Sequence, residues 1–395
     1  MKPANSVITS YGTTVFEVMS RLAMEHDAVN LGQGFPDARG PEVVLQAAAD
    51  ALLTKPNQYP PMLGIPELRQ AVAAHNKHFY GLDVDWQSQV VVGSGATELL
   101  TACFLSLIEP GDEVVLIEPL YDSYLPMVQR AGGVAKLVRV TPPDWTLPEA
   151  ELAKAFSDRT KLIVLNTPMN PTGKVFSRDE LQFIAGLLRR HDALAVCDEV
   201  YEHIVFDGHA HVPLMTLPDM EGRVVRIGSA GKTFSLTGWK VGYLTGPEAL
   251  TAPIAKAHQF IVFATPPNLQ HAVAFGLGQE DEFFSDLART MEAKRDRLAT
   301  GLSELGFTNL DCQGTYFLSA APPPDHGAAP GGNAPEDDET VCRRLTVEAG
   351  VTAIGLSAFY KDMDVHGYLR FCFCKQDEVL DEALARLGRY YRRTR

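Results

Sequence analysis

Short, almost uninterrupted apolar runs recur between about positions 89 and 245: QVVVG, DEVVLIEP, AKLVRV, KLIVLN, LAVCDE, RVVRIG and KVGYLTG. They predict seven strands. Between several of them the apolar spacing changes to that of a helix, as in ATELLTACFLSLI and SRDELQFIAGLLRRH. Strands without a polar face need cover on both sides, so the pattern predicts an α/β domain built on a mostly parallel seven-stranded sheet covered by helices. Ligands of such sheets bind at the carboxyl ends of the strands.

After about Asp281 the pattern changes. A long amphipathic helix (DEFFSDLARTMEAKRDRLATGLSEL) is followed by strands in YFLSA and GYLRFCFC and by a last helix, DEVLDEALARLGRYYRR. This predicts a smaller α+β domain, formed by residues 1–45 and 281–395, beside a large domain of residues 46–280. Inside it, Pro322 to Glu339 (PPPDHGAAPGGNAPEDDE) is too rich in proline, glycine and charge to pack, and reads as a flexible surface loop. There is no internal repeat.

A chain of 395 residues, 46% hydrophobic, can bury the cores of more than one domain. Its net charge of -14 would repel a phosphate backbone or an anionic membrane, which argues against nucleic acid and membrane partners. The six cysteines form no CxxC pair and mostly sit in apolar runs, as reduced buried thiols do. The N-terminus MKPANSVITSYGTT lacks the apolar core of a signal peptide, and no run approaches the length of a membrane span. The expected location is the cytoplasm.

The strand ends carry unusual chemistry. After QVVVG, the turn SGATE opens a helix whose first amides, at Gly95, Ala96 and Thr97, could hold an anion. A third glycine is missing for a dinucleotide fingerprint, because Glu98 stands in its place. After LAVC, Asp198 leaves a buried strand and so should face a cation or several donors. Asn170 is presented by the proline-rich turn TPMNPTG, and Tyr121 offers an aromatic face after VVLIEP. Taken alone, the glycine turn is equally explained as an ordinary strand-to-helix turn, and Asp198, Asn170 and Tyr121 are better explained by a cap, a turn and packing.

Lys232, in GSAGKTFS, has two readings. As part of a GxxxxGK[ST] phosphate loop it would need a glycine where Arg226 stands, and a following helix where FSLTGWKVGYLTG predicts a loop and a strand. A nucleotide-hydrolysing enzyme is therefore the remote alternative. As a covalent lysine it fits its surroundings. A phosphate cup, an acid, an amide donor, an aromatic plate and a lysine together match pyridoxal 5'-phosphate, whose aldehyde condenses with a lysine and whose ring nitrogen needs an acidic partner.

The ordered segments NLGQGFPD, NPTG, DEVY, SAGKTFSLTGWKVG and YLRFCFCK resemble the fold-type I, class I pyridoxal-phosphate aminotransferases over essentially the whole chain. The segments VNLGQGFPD, VTAIGLSAFY and YLRFCFCK most resemble the kynurenine and methionine aminotransferase group. The resemblance implies catalytic roles for Lys232, Asp198 and Tyr201. Asp198 would hold the pyridine nitrogen, Asn170 and Tyr201 the phenolic oxygen, and Tyr121 would stack on the ring. Gly95, Ala96, Thr97, Ser229 and Lys240 would hold the phosphate. Arg370, with Gly34 and Asn170, would bind the substrate's α-carboxylate, unless it forms only a structural salt bridge. Tyr59 would reach the phosphate site of the neighbouring subunit, implying a homodimer.

The implied reaction is transamination between an L-amino acid and a 2-oxo acid. Phe16, Tyr59 and Phe263 are the candidate pocket residues for a large neutral side chain such as methionine, kynurenine or an aromatic. An N-succinyldiaminopimelate aminotransferase and a cysteine-conjugate β-lyase use the same chemistry and stay open. A regulator built on this fold would also need a DNA-binding domain, for which the chain has no room, and the net charge opposes DNA.

Overall fold

The computed structural model describes residues 2–323 and 337–393. All seven predicted runs form strands: β1 (Val90–Gly93), β2 (Glu113–Glu118), β3 (Val134–Arg139), β4 (Thr160–Asn166), β5 (Leu194–Asp198), β6 (Val224–Ser229) and β7 (Gly242–Thr245). They make one sheet in the order β1-β7-β6-β5-β4-β2-β3. Strands β6, β5, β4, β2 and β3 run parallel, while β7 is antiparallel to both its neighbours. The reason lies in the β6–β7 link. It holds only a helical turn at Ala230–Thr233 and another at Thr237–Trp239, without the longer helix that usually carries a parallel return across the sheet.

The apolar strands are covered on both faces. Along β2, Val114 and Leu116 face a core shared with helix Ala96–Leu107 and with Ile254 and Ala255 of helix Glu248–Ile261. Val115 and Ile117 face the opposite core, with Leu181, Ile184, Leu187 and Leu188 of helix Arg178–His191. Each of those four buried side chains contributes about 1.5–3 kcal/mol, before the entropy of ordering is subtracted. That helix starts where its sequence dictates. Ser177 Oγ accepts the Glu180 amide at 3.2 Å, and Glu180 Oε2 accepts the Ser177 amide at 2.8 Å, a reciprocal cap.

In the second unit, β8 (Phe317–Ala321) and β9 (Leu369–Cys372) pair antiparallel within a four-stranded sheet. The long helix Asp281–Glu304 and the last helix Asp377–Arg393 form as predicted. Val29–Asn30 pairs in parallel with Val351–Thr352, and the Cys372 amide donates to Leu31 O at 2.7 Å. These bonds lay residues 32–35 beside β9.

One expectation needs correction. Most of the predicted loop from Pro322 to Glu339 lies outside the described residues, but its end is helical: Asp337 caps the helix Asp338–Arg344 by accepting the Thr340 amide at 2.9 Å. An aspartate at the cap outweighs the polar composition that suggested a loop. Among the described residues, no helix is long and apolar enough to cross a membrane.

Candidate active site

The carboxyl ends of β1, β4, β5 and β6 converge on a cavity of about 270 Å³. Every predicted site residue except Tyr59 and Phe263 lines it: Phe16, Gly34, Gly95, Ala96, Thr97, Tyr121, Asn170, Asp198, Tyr201, Ser229, Lys232, Lys240 and Arg370. Tyr59 is 87% exposed and meets Phe263 edge-on at 5.5 Å. Neither ring borders this chain's own cavity; both are exposed on its surface, Tyr59 more fully than Phe263.

Lys232 lies on the single helical turn Ala230–Thr233, where a loop was expected. Its Nζ donates to Tyr316 Oη at 2.6 Å, and Tyr316 in turn donates to Gly34 O at 2.7 Å. Burial lowers the pKa of the Lys232 ammonium, because the charged form loses its hydration.

Asp198 ends β5, and its side chain is buried. Burial raises its pKa; Tyr124, donating to Oδ2 at 2.5 Å, and the Val200 amide, at 3.4 Å from Oδ1, pull the other way. Asn166, at the end of the neighbouring strand β4, stitches the floor together. Its Nδ2 donates to Asp198 O at 2.9 Å and its Oδ1 accepts the Asn170 amide at 2.8 Å.

The helix Ala96–Leu107 opens into the cavity, its first amides following Gly95 at φ 79°. A side chain on Gly95 would meet Lys240 Cε and Nζ at 3.2 Å, so glycine lets the lysine approach that backbone. Thr97 Oγ1 lies 3.5 Å from the Tyr121 hydroxyl.

Arg370 is 1% exposed, on β9. Its Nη1 donates to Asn170 Oδ1 at 3.1 Å and its Nη2 to Gly32 O at 2.5 Å, while Nε is buried with no partner. Its guanidinium packs over Phe317 at 4.0 Å, Phe359 at 4.9 Å and Phe16 at 5.2 Å. Burial lowers its pKa to about 10. Among the described residues it makes no salt bridge; the carboxylate that acts on it is Asp122, on the wall of the same cavity.

Sequence reasoning missed Tyr124, Asn166, Tyr316 and Phe317. Asn166 was the most accessible of these, since it closes a strand on the same edge as Asp198. Tyr124 and Tyr316 gave no local signal, because their partners lie 74 and 84 positions away.

Residues 26–387 match the family model for aminotransferase class I and II. The chain belongs to that family. The aminotransferase is 43% identical over 394 residues to a probable N-succinyldiaminopimelate aminotransferase of Mycobacterium tuberculosis, covering 97% of each chain. It is 38% identical over 413 residues to the kynurenine–oxoglutarate transaminase of Dictyostelium discoideum, covering 97% of this chain and 95% of the other. The solved structure of an Escherichia coli protein with a methionine aminotransferase function superposes with a TM-score of 0.92 at 37% identity, over 98% of this chain and 100% of that one. The aminotransferase therefore has the expected fold and catalyses transamination, and the phosphate-loop alternative falls.

Proposed function

We propose that this aminotransferase works with pyridoxal 5'-phosphate in the cavity around Lys232, and that its donor is an α-amino acid with a large neutral side chain. The observation that carries the reading is Arg370: a buried guanidinium in no salt bridge among the described residues, in one cavity with a buried lysine and a buried acid. The donor set fits the cofactor. Asp198 is an acid whose raised pKa calls for a cationic N–H; the amides of Gly95, Ala96 and Thr97 with Ser229 and Lys240 suit a phosphate; Tyr121 offers a ring face. When bound, pyridoxal phosphate supplies an aldehyde that accepts the substrate's nitrogen and a protonated ring that draws electrons from the α-carbon.

The chain's own residues do the rest. Lys232 holds the cofactor through its amine and, once freed, takes the proton from the substrate's α-carbon; burial lowers its pKa, which works toward the neutral base. Asp198 keeps the ring nitrogen protonated, with Tyr124 holding the carboxylate in place. Asn170 and Tyr201 donate to the phenolic oxygen. Tyr316 orients Lys232 between turns of the reaction. Arg370 fixes the α-carboxylate with its planar fork, assisted by Gly34 and Asn170, while Phe16, Phe35 and Phe317 offer apolar surface to the side chain.

A second reading follows from an adjoining cavity of about 640 Å³, which shares Phe16, Tyr121 and Asp122 with the first and contains Lys361 and Arg343. Lys361 there suits a donor with a distal carboxylate, such as N-succinyldiaminopimelate, while Arg343 is already paired with Glu339 on the same wall. Partner supply is part of the reading as well: Tyr59 and Phe263 are exposed aromatic rings, suited to a second copy of the chain. The six free, buried thiols support a reducing cytoplasm, and the division into residues 46–280 against 1–45 with 281–395 remains our proposal for the domains.

The deciding experiment combines cofactor absorbance, borohydride trapping with peptide mapping, and a donor panel against several oxo acids. The reading expects a yellow protein, trapped mass on Lys232, and methionine or kynurenine as the better donor. Trapping at another lysine would overturn the site, and a preference for N-succinyldiaminopimelate would select the second reading.

A further inference from the structure

Two buried thiols stand beside this site without lining its cavity. Cys372 Sγ and Cys374 Sγ are 3.2 Å apart, with the residues 0% and 2% exposed. On β9, whose register sets Ser319 opposite Arg370 and Phe317 opposite Cys372, the strand alternation puts Arg370 and Cys372 on one face. On the far side, Cys374 forms part of the wall of a separate cavity of about 410 Å³, bounded also by Thr233, Phe234 and Ser235, which follow Lys232, and by Lys375. That cavity therefore reaches Cys374 from outside the catalytic cavity, with Cys372 one sulfur deeper, 3.2 Å away. Burial pushes the Cys372 thiol up, but the hydrogen bond from Cys374 and the Lys375 charge outweigh it and hold it below the ordinary thiol range, while burial holds Cys374 above that range.

We propose that Cys372 and Cys374 are an oxidation site, at which a peroxide closes the pair to an intramolecular disulfide and so disables the neighbouring Arg370. The Cys372 thiolate attacks one peroxide oxygen, breaking the O–O bond; the hydroxide released takes a proton and leaves as water. The Cys374 thiol then attacks the resulting sulfenic sulfur, forming the S–S bond and expelling a second water. Two thiols lose two electrons, and one peroxide gains them. To bond, the sulfurs must approach to about 2.0 Å, and the strand segment carrying Arg370 must follow. Neither group takes part in transamination, so the reduced enzyme works without the pair's chemistry.

The test treats the purified enzyme, cofactor bound, with graded hydrogen peroxide. Cleavage after Arg370 and Lys375 releases the peptide Phe371–Lys375, which carries both sulfurs. The expected result is a peptide lighter by two hydrogens that resists alkylation, two fewer free thiols than the six of the untreated chain, and a loss of kcat/KM of about tenfold or more that dithiothreitol reverses. Cys374→Ala should keep basal activity and lose the reversible inhibition. Two alkylated thiols in that peptide after inactivation would overturn the site, and mapping the wild-type protein decides this even if the variant folds poorly. A closed disulfide with unchanged activity would overturn its effect. That activity arm rests on the reading of Arg370 as the carboxylate clamp, whereas the peptide mass is independent of it.

Discussion

Tyr124 donates a 2.5 Å hydrogen bond to Asp198, and it is the only side-chain donor to that carboxylate among the described residues. The bond favours the ionised acid against the burial that raises its pKa. Tyr124→Phe should therefore raise the Asp198 pKa further. The carboxylate is then lost at a higher pH on acidification, so the acid limb of kcat/KM moves upward. A hydrogen bond to a charged group is worth about 1.5–3 kcal/mol, or roughly 10- to 100-fold in kcat/KM. The pH–rate profile checks it: an unmoved limb would mean that Tyr124 only packs.

Lys232→Ala should abolish transamination, since Lys240, the other lysine on the cavity wall among the described residues, sits against the Gly95 turn. Tyr316→Phe removes the acceptor of the Lys232 hydrogen bond together with the donor to Gly34 O, and should cost about 0.5–1.5 kcal/mol in kcat for each bond that matters to turnover. Single-turnover rates of the two variants distinguish the base from the group that orients it. Full activity in Lys232→Ala would sink the site assignment.

Arg370→Lys keeps the charge and loses the fork. Every α-carboxylate donor should then lose kcat/KM by about 1.5–3 kcal/mol. Steady-state kinetics across the donor panel test this, and a loss confined to one donor would move Arg370 to the side-chain pocket.

Behind the site, His75 and His203 meet Nε2 to Nε2 at 2.8 Å, close to Glu202 and Arg226 and between the rings of Phe79 and Phe284. Burial is the main cause that lowers their pKa values, to about 4 and about 3, from 6.5 in an exposed imidazole. On acidification the unfolded chain takes up these protons first. The stability contributed by the neutral pair is complete above pH 6.5 and declines below it, at ~1.4 kcal/mol per pH unit for each imidazole, until the folded pKa is passed. His75→Phe removes one such proton. Urea midpoints for the variant should change less between pH 6.5 and 4 than those of the parent, and equal slopes would show that His75 is already charged in the folded protein.

Tyr59 tests the proposed dimer. If it serves the partner's phosphate site, Tyr59→Ala and Lys232→Ala subunits are each defective, yet their mixed dimer contains one site with both residues intact. Dissociation, reassociation and isolation by differential tags should give a mixed dimer more active than either parent. If it is no better than Tyr59→Ala, then Tyr59 acts within its own subunit or only packs.

The hydrophobic pattern by itself determined the seven strands and the flanking helices and marked Asp198 and Asn170 at strand ends, while the roles of Lys232 and Arg370 were implied by the ordered motifs that carry the family resemblance. Burial on both faces leaves strands no polar alternation, and costly polar residues at their ends stand out against that background. Tertiary structure alone decided how those residues are held. Strand β7 enters the sheet antiparallel between β1 and β6, which no local period encodes. The bonds that hold Asp198, Lys232 and Arg370 come from Tyr124, Tyr316 and Asn170, across separations of 74, 84 and 200 positions. The same long-range packing leaves Tyr59 and Phe263 outside their own cavity and brings Cys372 against Cys374 beside Arg370. Propensity and periodicity act over one or two turns of chain, whereas a buried polar group is satisfied by whatever the whole fold delivers to it.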